Sequence, residues 1–589
     1  MSSLLLSRRD LDFLLHEWLG VASLTSRERF AEHSRETFDA VLDLSEQMAT
    51  DHFASHNRAA DLAEPEFDGE RVHMIPEVAK ALRVFADAGI LAAGMDESVG
   101  GMALPQAVAQ ACFLWFQAAN IATSAYPFLT IANANLLLAH GSPEQVESWV
   151  GPMVEGRYFG TMCLSEPQAG SSLADVTTRA EPRDDGTHRL FGNKMWISGG
   201  DHDLSENIVH LVLAKIPGGP AGVQGISLFV VPKVLESGER NDVVLAGVNH
   251  KMGYRGTVNT LLNFGEGRHT PGGEAGAVGY LVGEPHRGLA YMFHMMNEAR
   301  VGVGGGAAAL GYTGYLHALD YARTRIQGRS VKAKAGPPVP IISHPDVARM
   351  LLAQKSYAEG AVALVLYCAR LLDEQRTGAT PEDRERALLL LDVLTPIAKS
   401  WPSQWCLAGN DLAIQVHGGY GYTREYAVEQ FWRDNRLNAI HEGTHGIQGL
   451  DLLGRKVVLH DGAGLRLLLE TVTGAVDAAR AAGLDEHADA LAAAVARTAE
   501  VTATLWGAGD PAVTLANSST YLGAVGHVVV AWMWLEQLVA VGDAQGDFYD
   551  GKRAAARYFF RHELPRTGPQ FALLESLDRT TLDVRPEWF

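Results

Sequence analysis

The sequence predicts an α+β fold in which one β-rich segment is inserted between helical segments. Three observations predict it: helical spacing up to about residue 156, β-branched and aromatic runs from 158 to about 283, and helical spacing again from about 291. In the first segment apolar residues recur every three or four positions, as in Leu82, Phe85, Ala86 and Gly89, or Leu129, Ala132, Leu136 and Leu137. An arm of about 40 residues precedes its main body. The strand-like runs are Tyr158 to Leu164, Lys194 to Ser198, Ile208 to Leu213 and Ile226 to Val231, separated by Gly, Asp and Pro. Helical spacing then runs to about Leu459, interrupted by a loop from Gly328 to Pro345 that is rich in Pro, Gly and Lys and is expected at the surface. From Gly462 an Ala-rich stretch (488 to 499) and a further helical pattern through Leu574 add another helical domain. The expected layout is an arm (1–40), a helical domain (41–157), a β-domain (158–284), a helical bundle (285–460) and an additional helical domain (461–589).

With 589 residues and 47% apolar content the chain can bury several cores. A net charge of −20 argues against a nucleic-acid partner, which would need clustered Lys and Arg. The four cysteines (Cys112, Cys163, Cys368, Cys406) are far apart, so reduced thiols and a cytoplasmic location are expected. Ser7-Arg8-Arg9 superficially resembles a twin-arginine signal, but Asp10, Asp12, His16 and Glu17 are too polar for the apolar region that should follow. The longest apolar run, Ala361 to Ala369, is shorter than the ~20 residues of a membrane span, and none is expected.

Five segments carry chemistry. Leu164-Ser165-Glu166-Pro167-Gln168-Ala169-Gly170-Ser171-Ser172 follows a strand and turns, freeing main-chain groups for a flat heterocycle, as an ordinary turn also would. In Trp196-Ile197-Ser198 strand alternation puts an indole and a hydroxyl on one face, although a strand Trp also serves as core. Arg325-Ile326-Gln327-Gly328 ends a helix with an arginine able to grip a diphosphate or simply face solvent. Gln415-Val416-His417-Gly418-Gly419-Tyr420-Gly421 lets backbone approach a phosphate, or merely turns between helices. The fifth segment is Arg433-Asp434, followed by Ile440-His441-Glu442-Gly443-Thr444-His445-Gly446-Ile447-Gln448.

In this order and spacing, over roughly residues 45 to 455, the five segments resemble the acyl-CoA dehydrogenase family, with its E-P-x-A-G-S, W-I-S, R-x-Q-G, Q-x-H-G-G-x-G and E-G-T-x-x-I-Q motifs. The arm, the loop before His344-Pro345 and the added domain resemble the long branch that includes methylmercaptopropionyl-CoA dehydrogenases. The resemblance implies a flavoprotein oxidoreductase of fatty acid metabolism that binds FAD. It also implies an acyl-CoA substrate, an electron-transferring flavoprotein as acceptor, and a homodimer.

By the same resemblance the main chain of Met162, Cys163, Leu164 and Ser165, with Ser171, meets flavin or thioester. Trp196, with Ile197 and Ser198, meets the isoalloxazine. Arg325, Gln327, Gln415, Val416, His417, Gly418 and Gly419 hold the ADP half of an FAD bound mainly by a neighbouring subunit, and Thr444, His445 and Gly446 touch FAD. Glu442 is the base, Gly443 N–H holds the thioester oxygen, and Arg300 lies near the base and CoA. Ser198 stands where many relatives have Thr. His441 replaces the usual Tyr, putting a titratable ring beside the base or merely filling its space. On the branch likeness, short or medium acyl chains are expected, including sulfur-bearing ones.

Other readings compete. An acyl-CoA oxidase shares the motifs. His441-Glu442-Gly443-Thr444-His445 is a literal H-E-x-x-H, which would bind zinc only within a regular helix and with a third ligand such as Glu470; no metal is expected. Gly302-Val303-Gly304-Gly305-Gly306-Ala307 mimics a dinucleotide fingerprint but follows a helix, so close helix packing explains it better. A DNA-associated flavoprotein would use Arg553, Arg557 and Arg561, yet residues 466 to 589 carry 16 acidic and 10 basic side chains.

Overall fold

The structure is a computed structural model that describes residues 3–330 and 336–589. The chain divides into two compact units, one holding the segments to Asp39, Pro105–Ala118 and Arg300–Phe589, the other Ala40–Leu104 and Ala119–Ala299.

In the second unit, strands Tyr158–Cys163, Arg179–Pro182, His188–Ser198, Asn207–Lys215, Ile226–Pro232, Val243–Val248, Asn259–Phe264 and Ala277–Leu281 form one sheet. Ala277–Leu281 pairs antiparallel with both His188–Ser198 and Ile226–Pro232, so part of the sheet closes on itself. The strands Asn207–Lys215 and Ile226–Pro232 are mostly apolar and buried almost throughout, with His210 and Ser227 buried among the apolar side chains. The helix Ile121–His140 covers one edge, where Asn133 Nδ2 donates to the Thr161 and Val209 carbonyls. A two-stranded ladder, Glu66–Phe67 with Val72–His73, interrupts the helical segment that periodicity predicted.

The first unit is a helical assembly built on Gly288–Thr324 (from Arg300 onward), Pro345–Thr377 and Pro381–His417. The glycine run at 302–306 serves packing, as expected. A Cβ on Gly304 would lie 1.9 Å from the Ala398 carbonyl oxygen, and one on Gly311 2.5 Å from the Cys406 Cβ. Pro402 lacks the N–H that would bind that Ala398 oxygen within the helix, which leaves it facing the glycine.

The helices Leu459–Ala481, Asp485–Gly507, Ser518–Val541, Asp547–Tyr558 and Thr567–Glu575 form the added domain. The arm packs on it. Trp18 Nε1 donates to Glu536, Arg9 sits over the Phe548 ring, and Ser7 caps the helix Arg8–Asp12 that contains the supposed export arginines. Asp10, Lys355, Glu359 and Lys552 form one buried charge cluster there, with Tyr312 donating to Asp10.

Among the described residues two helices, Ile121–His140 and Ser518–Val541, are long and apolar enough to cross a bilayer, which the longest unbroken apolar run did not reveal; 67% and 83% of their apolar windows are buried in the fold. The Gly328–Pro345 loop includes Val331 to Ala335, outside the described residues. Its two ends pair: Gln327 N–H donates to Val339 O, Val339 N–H to Gly328 O, and Ile341 N–H to Arg325 O. All four cysteines are buried and free.

Candidate active site

The helix Val428–Asn438 ends in a turn, and the chain then passes through Glu442 (φ 53°) and Gly443 (φ 90°) before Thr444 caps the helix His445–Asp451. Two consecutive left-handed residues reverse the chain. Gly443 takes that conformation freely, and its Cβ would in any case meet Gln448 Nε2 at 2.5 Å. Glu442 holds it at a cost of ~1–3 kcal/mol, a kind of strain that persists only where the surroundings enforce it. Here they do. Gln448 Nε2 donates to the Glu442 carbonyl at 2.9 Å, and Lys399 Nζ donates to the Gly443 carbonyl at 2.6 Å. Among the described residues the N–H groups of Glu442 and Gly443 have no acceptor, so both are available to a ligand oxygen.

Burial pushes the Glu442 carboxyl above the ordinary carboxylate range, against the pull of Arg300 and Lys399. Arg300 is buried and ion-paired to Asp451 at 2.8 Å, while its Nε has no partner among the described residues. Lys399, which the sequence reading passed over, is fully buried; burial lowers it to about 7, with Glu442 opposing the shift and Arg300 adding to it.

The geometry bears on two readings that the sequence left open or rated low. His441 is not a titrating neighbour of the base, because burial, reinforced by Lys399, pushes its ring down to about 3, and its Nε2 lies 3.1 Å from Asn438 Oδ1. The zinc reading fails on geometry. His445 begins a helix that His441 does not share, Glu442 and Gly443 are left-handed between them, and His445 Nδ1 is held by Ser400 Oγ at 2.8 Å. Glu470 lies on the added domain, largely exposed near Arg386. Two arginines of the stripe are also occupied, Arg553 bonded to Asp550 and the Gly542 and Ala544 carbonyls, and Arg561 to Glu486.

At the far end of the helix Pro381–His417, a cleft of about 460 Å³ is lined by His317, Asp320, Tyr321, Thr324, Arg325, His417, Tyr420 and Tyr426. Tyr321 stacks on His417 with ring centres 4.3 Å apart. Arg325 is exposed and donates to Gln327 Oε1 at 2.9 Å. Gly418 and Gly419 are exposed, and a Cβ at either would meet nothing within 4 Å. A guanidinium, open glycine backbone and an aromatic-walled cleft fit the diphosphate and ring of an adenine dinucleotide. Gln415 is exposed beside them, whereas the Val416 side chain is buried, leaving its main chain alone for a ligand.

In the β-rich unit, Trp196 does not lie on a regular strand. Its φ is 66°, and the pairing with Asn259–Phe264 slips between Lys194 and Ile197. The bulge leaves the indole 61% exposed beside the buried Ile197 and half-buried Ser198, whose Oγ accepts from Asn259 Nδ2 at 3.2 Å. Ser171 is exposed, Met162, Leu164 and Ser165 are half-buried, and the Cys163 side chain is wholly buried. The turn after this strand is fixed by Glu166, which accepts from the Thr177 and Thr178 N–H groups and from Lys194 Nζ at 3.0 Å; Lys194 also donates to the Leu164 carbonyl. Glu166 opens the E-P-x-A-G-S motif, whereas nothing in the sequence marked Lys194 as its partner.

Family models for acyl-CoA dehydrogenases match in chain order: the N-terminal domain at residues 36–157, the middle domain at 161–266, the C-terminal domain at 286–457, and the acetyl-CoA dehydrogenase C-terminal-like domain at 468–585. The chain therefore belongs to the acyl-CoA dehydrogenase family of FAD-dependent oxidoreductases. It is 36% identical to the 3-methylmercaptopropionyl-CoA dehydrogenase of Ruegeria pomeroyi, over 93% of this chain and 94% of that one. It is 34% identical to the broad-specificity linear acyl-CoA dehydrogenase FadE5 of Mycobacterium tuberculosis, over 98% of each. Its fold is similar to that of Caenorhabditis elegans ACDH-11, solved in complex with C11-CoA, with a TM-score of 0.74 at 20% identity over 99% of this chain and 91% of that one.

Proposed function

We propose that the protein oxidises an acyl-CoA thioester to the 2-enoyl-CoA, with Glu442 removing the α-proton. The observation that carries this reading is a carboxylate held in a strained left-handed conformation, with burial raising its proton affinity toward the range a general base needs. The α-proton of a thioester is too weakly acidic for a carboxylate in water, so the thioester oxygen must be stabilised as charge grows on it. The Gly443 N–H, with the adjacent Glu442 N–H, would serve that task, a reading supported by both having no acceptor among the described residues.

FAD, when bound, supplies the acceptor for the β-hydride. Trp196, Ser198, Ser171 and the main chain of Met162 to Ser165 would hold its ring, with Ile197 anchoring the strand in the core. Thr444, His445 and Gly446 would contact it beside the base. Arg325, Gln327 and the Gln415–Gly419 turn would hold the ADP half of an FAD bound mainly by a second subunit, so the working state is a homodimer. The reading includes an electron-transferring flavoprotein as acceptor and a cytoplasmic location. For the acyl group it favours short or medium linear chains, including sulfur-bearing ones, in keeping with the names of the relatives.

The test is a panel of acyl-CoAs assayed with a ferricenium-type acceptor beside an oxygen-uptake trace, on protein whose FAD content has been measured. Ferricenium turnover on short and medium chains with little oxygen uptake supports the dehydrogenase reading. Equal oxygen uptake would make the enzyme an oxidase, and protein that takes up no FAD would overturn the proposal.

A further inference from the structure

Lys399 lies at the middle of the helix Pro381–His417 and is fully buried. An ammonium has three N–H donors and is costly to bury without partners. Lys399 fills one of its donors, to the Gly443 carbonyl at 2.6 Å. Gly443 O belongs to the peptide joining Gly443 to Thr444, so the lysine fixes the segment immediately after the base. The backbone that carries Lys399 is itself fixed: Ala398 is seated against Gly304, and Ser403 Oγ donates to the Lys399 carbonyl at 2.6 Å. The neighbouring Ser400 holds His445. One helical turn thus holds the chain at two points that follow Glu442.

We propose that Lys399 is a positioning residue for the reaction, holding the Glu442–Thr444 segment through the Gly443 carbonyl and setting a cation beside the base. The inference rests on Glu442 being the base. Arg300, with its partner Asp451, acts on both members of this pair; His441 and His445 flank the base, and Arg436 from the helix Val428–Asn438 acts on His445. Both histidines are held neutral by burial, and Asp451 is taken up by Arg300 and Arg455. Arg300 is a permanent cation, so Lys399 is the neighbour whose charge changes near neutrality, burial having brought it down to about 7.

The experiment is single-turnover bleaching of the FAD-loaded full chain by its fastest acyl-CoA across roughly pH 6 to 9, for wild type, Lys399→Met, Lys399→Gln and Lys399→Arg. Met matches the length of the stem without charge or donor; Gln keeps a donor without charge. Both are expected to keep bound FAD and to move the rising limb of the rate toward higher pH by about one unit, a roughly tenfold loss on that limb. Lys399→Gln should lose less of the plateau than Lys399→Met, and Lys399→Arg should restore the limb. A limb that stays at the wild-type position in Lys399→Gln would overturn the proposal, whether or not the Met variant folds. Glu442→Gln separates the two levels: if it bleaches at the wild-type rate the assignment of the base falls, whereas if it is inactive and the lysine variants keep the wild-type limb, only the role of Lys399 falls.

Discussion

Gln448 Nε2 donates to the Glu442 carbonyl at 2.9 Å and reaches the Gly443 carbonyl at 3.4 Å. The first of these oxygens shares a peptide plane with the Gly443 N–H, so the bond fixes the direction in which that N–H points. Gln448→Leu should therefore keep FAD and slow flavin reduction by roughly tenfold or more, since misaimed oxyanion donors cost catalysis steeply. Stopped-flow bleaching with FAD content as control checks this; an unchanged rate would mean that the Gly443 N–H holds no reacting oxygen.

Gly304→Ala places a methyl group where the Ala398 oxygen already lies, 1.9 Å from the built Cβ. The two helices must separate, which should cost roughly 1–3 kcal/mol in a denaturant or thermal melt. Because Lys399 follows Ala398, flavin reduction should also slow. A variant of wild-type stability would contradict the packing.

The Glu166–Lys194 pair is fully buried and holds the turn after the strand Tyr158–Cys163. Glu166→Gln leaves the Lys194 charge unmatched and should cost about 3–5 kcal/mol, whereas Glu166→Gln with Lys194→Met should recover much of that loss. Burial opposes ionisation of Glu166, but the Lys194 charge and hydrogen bonds from Thr178 and Thr177 bring it down to about 2. Its contribution is accordingly present above the unfolded value near 4.5 and is lost as pH falls toward 2. Melting temperatures through that window should fall more steeply for wild type than for the double variant.

His441 and His445, lowered to about 3 and about 4, stay neutral wherever Glu442 works. His441→Gln should leave both limbs of the pH–rate profile in place, and His445→Ala should cost far less activity than loss of Glu442. A displaced limb in the His441 variant would show that the ring titrates with the base.

The motifs that marked the candidate site in the sequence are those in which residue type and chemistry coincide, namely Glu442 in its E-G-T context, the Gly418-Gly419 turn and the Trp196 strand. What stayed hidden is of two kinds. Lys399 and Lys194 lie in an apolar helix and an alternating strand, where a lysine reads as a surface residue, and only tertiary packing shows each donating to a main-chain carbonyl. The bulge at Trp196 and the left-handed Glu442 are backbone states, and periodicity assumes regular backbone. Strand parity gave Trp196 and Ser198 one face, and the exposed Trp196 and half-buried Ser198 do flank the buried Ile197, but it missed the twist that lifts the indole out. The glycine run at 302–306 was legible because a fingerprint needs a strand before it and none was there.

The central claim is tested most directly by Glu442→Gln in a single-turnover mix of the FAD-loaded protein with an acyl-CoA. The amide keeps the size and much of the hydrogen bonding of the carboxylate but cannot accept the proton. FAD content and acyl-CoA binding should survive, and the bleaching rate should fall roughly 10²-fold or more. Bleaching at the wild-type rate would contradict the account and make another carboxylate the base. Glu298, held by Asn135 at 2.7 Å, is the first to test in that event.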